Sequence, residues 1–419
     1  IYKLKDQVIN SLKERDQLKL YCDLELPLAS ILAKMEQNGI RLDISTIRKM
    51  EEEVQEKLDD LTLRIYKLAN KEFNINSYAQ VAEVLYDDLN LPAHKKRSTA
   101  ADYLEEIASF HPIVNLILDY RKYAKLQGTY IKGLQNFVHG DGKIHTIYNQ
   151  FLTQTGRLSS KEPNLQNITI RDDEQRMVRK AFLPSNENSY LLSIDYSQIE
   201  LRVLAHMADA TSLINAFNND EDIHLQTAMK IFDIENKDDV TSLQRRQAKA
   251  VNFGIIYGIS DWGLAEQLGV SVSKAKDFIN KYFATFPEIK TYLDKAVSDC
   301  EKNGYVKTLF NRIRYVKEIN DPNYTVREFG KRVAMNAPIQ GTAADIIKKA
   351  MLDIDKLLND KNYQTKMLLQ IHDELVFEVP ENELMEVIPL ICETMENAAS
   401  LKVRLKVDYG YGKNWYDAK

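Results

Sequence analysis

Cysteine is almost missing from this 419-residue chain. Cys22, Cys300 and Cys392 are too few and too scattered for a disulfide framework or a zinc cluster, which points to a reducing compartment and three structural thiols. Glycine and proline are sparse, at 15 and 10, and there is no low-complexity segment or internal repeat, so the expectation is one interlocked globular unit rather than modules strung on flexible linkers. No apolar run approaches the roughly 18 residues that a membrane span requires, and the first residues show no signal-peptide pattern. The expectation is a cytoplasmic protein without a membrane partner. A formal net charge of -5 provides no global positive field, so contact with nucleic acid must come from local basic patches.

What is present is mostly helical patterning. After Pro27, Leu28, Ile31, Leu32 and Met35 recur at helical spacing and Asn38-Gly39 supplies a stop. Asp43 is placed to cap a helix from Ile44 to about Asn70, along which Leu58, Leu61, Ile65 and Leu68 form an apolar stripe. Ser77 with Gln80 reads as a capping box. "HKKRST" (His94 to Thr99) and the later Arg121, Lys122, Lys125 and Lys132, interleaved with Tyr120, Tyr123 and Tyr130, suit either a phosphate backbone or a solvated helical face.

From about residue 148 short β-prone runs enter. "YLLSID" (Tyr190 to Asp195) reads as a strand and "MLLQIHDELVFEV" (Met367 to Val379) as a hairpin with a polar break, separated by more than a hundred residues of mostly helical pattern. Carboxylates at strand ends are costly unless solvated, hydrogen-bonded or bound to cations. If the two runs are neighbours, Asp195 and Asp373, with Glu374 adjacent, can hold two Mg²⁺ ions for phosphoryl transfer. Turn carboxylates without a metal are the plainer alternative.

"RRQAKAVNFGIIYG" (Arg245 to Gly258) places Arg245, Lys249, Phe253 and Tyr257 four residues apart, each about 40° round a helix from the last. A face that begins cationic and ends aromatic suits a nucleotide: Arg245 and Lys249 for the triphosphate, Phe253 and Tyr257 for the sugar and base. A second row, Arg332, Asn336 and Gln340, offers donors suited to the duplex minor groove, where acceptors fall in similar places for every base pair; Pro338 and Gly341 are candidate kink points.

As a set these segments resemble a known family. "DYSQIELR" (Asp195 to Arg202), "RRQAKAVNFGIIYG" and "IHDELVFEV" (Ile371 to Val379) are similar to motifs A, B and C of family A DNA polymerases, the bacterial DNA polymerase I group. "TGRLSSKEPNLQNI" (Thr155 to Ile168) and "NAPIQGTAADIIKKAM" (Asn336 to Met351) match further family segments, and the likeness runs from about Leu24 to Lys419. It implies an α+β, mostly helical right-hand fold with a helical thumb (residues 23–147), an antiparallel palm sheet (148–206 and 331–419) and helical fingers (207–330). Residues 1–22 would be the tail of a 3′-5′ exonuclease domain or a linker.

The implied activity is DNA-dependent DNA polymerisation: primer 3′ extension with dNTPs on a primer-template duplex, by two Mg²⁺ ions with Mn²⁺ able to substitute, in a monomer. By resemblance Asp195 and Asp373 are metal ligands and Glu374 supports them. Arg245, Lys249 and His224 grip the triphosphate, and Gln198 and Glu200 lie around the sugar. Glu200 and Tyr257 block a 2′-hydroxyl, and Phe253, where some relatives carry Tyr, implies poor acceptance of dideoxynucleotides. Arg157, Arg332, Asn336, Gln340 and His372 are implied primer-template contacts. Departures are a shortened thumb tip at "HKKRST" and Thr169 where Pro is usual. No paired-acid exonuclease motif precedes the tail, so the expectation is no proofreading and no 5′-nuclease activity. A two-metal nuclease would use the same carboxylates but needs no triphosphate grip. A noncatalytic binding module would lack a metal ligand, and an RNA polymerase of related architecture is disfavoured by Glu200.

Overall fold

The apolar repeats become helices packed against short antiparallel sheets in the computed structural model, which describes residues 4–93, 97–168 and 173–419. His94, Lys95 and Lys96 of "HKKRST", and Thr169, lie outside the described residues. The chain divides into two compact units, Ile1–Asn38, Ile147–Lys161 and Leu192–Gly410 in one, and Gly39–Thr146, Glu162–Leu191 and Tyr411–Lys419 in the other.

In the second unit, the helix Ile44–Ala69 starts where expected. Asp43 accepts from the Ser45 and Thr46 amides, and Asn70 ends the helix in the left-handed conformation. Leu61 and Ile65 on its stripe join Val81, Leu85, Leu104, Ile113 and Ile117 in one core. Ser77 accepts from the Gln80 amide, but the Gln80 side chain accepts from the Asn74 amide, so the expected box is only half formed. The interleaved cations are largely engaged within the unit: Lys122 pairs with Glu174, Lys132 with Glu51, Arg97 with Asp87, and Arg121 donates to the Thr99 carbonyl. The paired side chains of Lys122, Lys132 and Arg97 stay partly exposed, which is compatible with either reading.

Most residues of a four-stranded sheet, in the order Val407–Gly412, Ser189–Tyr196, Glu374–Pro380, Lys366–Ile371, belong to the first unit. Strands distant in sequence are thus neighbours, and the helical run between them is an insertion. The hairpin pairs Ile371 with Glu374 and leaves His372-Asp373 as a two-residue turn. His372 takes φ +54, the left-handed region that such a tight turn demands at its first central residue. The 37-residue helix Tyr324–Asp360 runs unbroken through Pro338 and Gly341, where kinks were considered, and packs on the helices Ile199–Ala208, Pro287–Asn303 and Leu384–Glu396. Of the thiols, Cys300 is buried and Cys392 half-buried, but Cys22 is exposed, so only two of the three fit a structural role. Among the described residues no helix is long and apolar enough to cross a membrane.

Candidate active site

The strand Ser189–Tyr196 is buried almost continuously until Asp195, which is half-exposed. The next residue makes the decisive link: the Tyr196 amide donates to the Asp373 carbonyl at 3.1 Å. Asp195 therefore ends one strand beside the turn that carries Asp373, also half-exposed. Glu374 behaves differently. It is 3% exposed and accepts from Ser193 Oγ at 2.6 Å, a buried tie across the two strands. Among the described residues no group of three or more acidic, His or Cys side chains is placed to hold a metal. The donor set is two carboxylates, which fits a hard cation that completes its shell with waters and substrate phosphates, the habit of Mg²⁺.

The cationic-aromatic stripe lies on the helix Ser242–Ile256, opened by a full capping box between Thr241 and Gln244. Ala248, Val251, Asn252, Ile255 and Ile256 are buried, which leaves Arg245 and Lys249 exposed, Phe253 half-buried and Tyr257 exposed on the other face. Arg245 Nε donates to Asp222 Oδ2 at 2.7 Å. Asp222 also caps the helix Ile223–Ile231 by accepting from the His224 and Leu225 amides. Burial alone would raise the Asp222 carboxyl, but the Arg245 side chain and the Leu225 amide outweigh it and hold the group below the usual range.

At the helix exit, Tyr257 donates to Glu200 Oε2 at 2.8 Å while Arg157 donates to Glu200 Oε1 at 2.6 Å. Glu200 is 4% exposed and is clasped by both. Partial burial, then the Glu200 carboxylate, push the Tyr257 phenol up against the opposing Arg157, and Asp373 adds to the rise, which brings the stripe's aromatic end into the field of Asp373. Gly258 follows at φ +63, where a Cβ would lie 2.8 Å from Met335 Cε and 3.1 Å from Arg332 Cγ. Only glycine permits that approach to the long helix.

Arg332 is exposed on that helix, with Asn336 and Gln340 half-buried on the same face and Val333, Ala334 and Ala337 buried opposite. His372 is exposed at the hairpin turn. Gln198 is half-buried at φ +52, just before the helix Ile199–Ala208, and its Oε1 is buried without a hydrogen-bond partner. Such an orphaned acceptor costs about 1–3 kcal/mol unless a ligand or water satisfies it. The structure thus gathers Asp195, Asp373, Glu374, Glu200, Tyr257 and Arg157. Arg245, Lys249, Phe253 and His224 meet on a neighbouring helix pair.

His224 is 3% exposed, with its ring 5.9 Å from that of Phe253. Burial is the main force lowering its pKa to about 4, Lys249 and Arg245 reinforce the shift, and Asp222 opposes it. The folded value lies below the ordinary 6.5, so the unfolded chain binds the extra proton more readily between the two. Stability is therefore complete above about pH 6.5 and falls as the pH drops toward 4. By pH 5.5 the loss from this group should be about 1 kcal/mol. Urea unfolding at pH 7.5 and 5.5 checks this, with His224→Gln expected to flatten the difference.

Sequence reasoning missed Asp222, Thr227 and Asn252, which hold the stripe's helix to its neighbour. Asp222 had a readable signal, an acid just before an apolar helix, whereas Asn252 shows only as an amide among apolar residues.

The family model for DNA polymerase family A matches residues 44–417. Geobacillus stearothermophilus DNA polymerase I is 51% identical, over 100% of this chain and 48% of its own length. Streptococcus pneumoniae DNA polymerase I is 52% identical, over 98% of this chain and 48% of its own. The chain spans about half the length of these curated relatives. A solved structure, the POL domain of Pol1 from M. smegmatis in complex with DNA primer-template and dNTP, superposes with a TM-score of 0.95 at 40% identity, covering 100% of this chain and 74% of that one.

Proposed function

Because the chain belongs to DNA polymerase family A and has its right-hand fold, we propose that it extends the 3′ end of a DNA primer with dNTPs on a template, releasing pyrophosphate. One observation carries this reading: the bond from the Tyr196 amide to the Asp373 carbonyl, which sets two distant carboxylates at adjoining strand ends. Divalent cations held by Asp195 and Asp373, two Mg²⁺ with Mn²⁺ able to replace them, would acidify the primer hydroxyl and neutralise the leaving pyrophosphate.

The chain's own residues do the positioning. Arg245 and Lys249 bind phosphates from the exposed face of their helix. The bond to Asp222 uses Arg245 Nε, so the terminal amino groups can still face a phosphate. Phe253 and Tyr257 flank the nucleoside, and Glu200, fixed by Tyr257 and Arg157, closes the space beside the sugar that a 2′-hydroxyl would need. Gln198 lies beside that sugar with an unsatisfied oxygen. His224 contributes to triphosphate binding, and Glu374 secures the strand pair. Arg157, Arg332, Asn336, Gln340 and His372 meet the primer-template junction, donors on a helix face being able to hold a correctly shaped minor groove without reading sequence. In this reading residues 23–147 form the thumb, 148–206 and 331–419 the palm and 207–330 the fingers, of a cytoplasmic monomer.

Primer extension with the four dNTPs supplied singly is the test. Addition of only the templated nucleotide is expected; degradation of the duplex, or no extension, would overturn the proposal. Lys249→Ala should raise the nucleotide KM about 10–100-fold, the worth of a charged hydrogen bond, and leave duplex affinity within about twofold. Collapse of DNA binding instead would show that this face meets the duplex.

A further inference from the structure

Three buried polar side chains join the helices Ile223–Ile231 and Ser242–Ile256. His224 is 3% exposed, and Thr227 and Asn252 are 0% exposed. Thr227 Oγ1 donates to Asn252 Oδ1 at 3.0 Å, and Asn252 Nδ2 lies 2.8 Å from His224 Nδ1. A carboxamide nitrogen has donors only. With its oxygen turned to the Thr227 hydroxyl, it can pair with His224 Nδ1 only if that nitrogen carries a lone pair. The single proton of the neutral ring must then sit on Nε2.

We propose that Asn252 is a positioning residue for nucleotide binding: braced by Thr227, it locks His224 in the Nε2–H tautomer, so that the ring edge away from Asn252 always presents a donor. This rests on the reading of His224 as a triphosphate contact. A phosphate oxygen accepts hydrogen bonds and cannot donate them at neutral pH, so the opposite tautomer would set a lone pair against it. An unbraced ring would divide its time between the two forms. Burial keeps the ring uncharged, and the flanking Lys249 and Arg245 help do so. The donor must therefore be selected by hydrogen bonding, because it is not supplied by protonation.

Placement on the helix adds a second consequence. Asn252 is three residues beyond Lys249 and immediately before Phe253, on the buried side of the same helix. One rigid element thus carries the cation that meets the phosphates and the amide that sets the histidine. The amide has no better use in that position: an asparagine among Val251, Ile255 and Ile256 destabilises the packing unless both ends of its side chain are satisfied, and both are.

The test pairs ring ¹⁵N spectra of histidine-labelled protein with steady-state kinetics. In the wild-type protein at pH 7.5, His224 should show a protonated Nε2 and a bare Nδ1. Asn252→Asp, which offers only acceptors, should move the proton to Nδ1. Asn252→Ala and Asn252→Asp should each raise the dNTP KM about tenfold while kcat and primer-template affinity stay within about twofold. Thr227→Ser should match the wild type, and Thr227→Val should raise KM by a smaller factor. A wild-type His224 protonated on Nδ1 overturns the inference, as does an unchanged KM in folded Asn252→Ala. If the Asn252 variants do not fold, the wild-type spectrum and the Thr227→Ser and Thr227→Val pair still decide it. Failure of the wild-type protein to extend any primer would instead sink the polymerase reading, which separates the two.

Discussion

Asp195→Ala and Asp373→Ala are each expected to lower primer extension at least about a thousandfold while duplex affinity stays within about twofold. The expectation follows from where the two side chains sit. Both are half-exposed, so removing either leaves no cavity of consequence. The bond that joins their strands is a backbone one, Tyr196 amide to Asp373 carbonyl, and survives truncation of either carboxylate. What is lost is one of the two carboxylates that the adjoining strand ends offer to a cation. Glu374 gives the contrast within the same turn. It is buried and tied to Ser193, so Glu374→Ala should cost fold stability, with a smaller loss of extension. Single-turnover extension, gel-shift binding and thermal melting separate the two patterns. Near-normal extension by either aspartate variant would refute the assignment.

The elements that could be read from sequence were those whose cause is local. Asp43 caps because its carboxylate reaches amides two and three residues ahead, and the hairpin at His372-Asp373 follows from a polar pair inside an apolar run. The sheet order was not local. Nothing in "YLLSID" states which strand lies beside it, and the adjacency of Asp195 to Asp373 had to enter as a condition, met in the structure by the Tyr196 amide. Partner choice was hardest to foresee. The sequence does not show that Arg157, an implied duplex contact, also clasps Glu200, or that Arg245, an implied triphosphate grip, is also tethered to Asp222. Lone cations look alike in sequence because their pairing depends on which helices pack together, and that is fixed by apolar faces elsewhere. The same blindness hid a cluster of buried charges.

That cluster lies in the first unit and comprises Glu25, Arg312, Asp345 and Lys348. Glu25 Oε1 accepts from both Arg312 and Lys348. Arg312 Nε donates to Asp345 Oδ1 at 2.8 Å and Thr308 Oγ1 donates to Asp345 Oδ2 at 2.7 Å. The Asp345 side chain is 0% exposed, Lys348 2%, and Glu25 and Arg312 16% each. Two acids and two bases balance, and breaking such a set by removing one member costs far more than the set contributes as a whole. Burial drives the Asp345 carboxyl up even with Arg312 beside it, so without that guanidinium it must either take up a proton or stay charged in an apolar setting. Arg312→Ala is therefore expected to destabilise the protein by about 3–5 kcal/mol, read by guanidinium unfolding. Adding Asp345→Leu to an Arg312→Leu background should restore part of the loss, the sign of coupling in a double-mutant cycle. Activity should fall as well. A Cβ on Gly156 would lie 2.5 Å from Arg312 Nε, so the guanidinium packs directly under the turn that delivers Arg157 to Glu200. A loss below about 1 kcal/mol, or strict additivity of the two substitutions, would show that the four charges are not one unit.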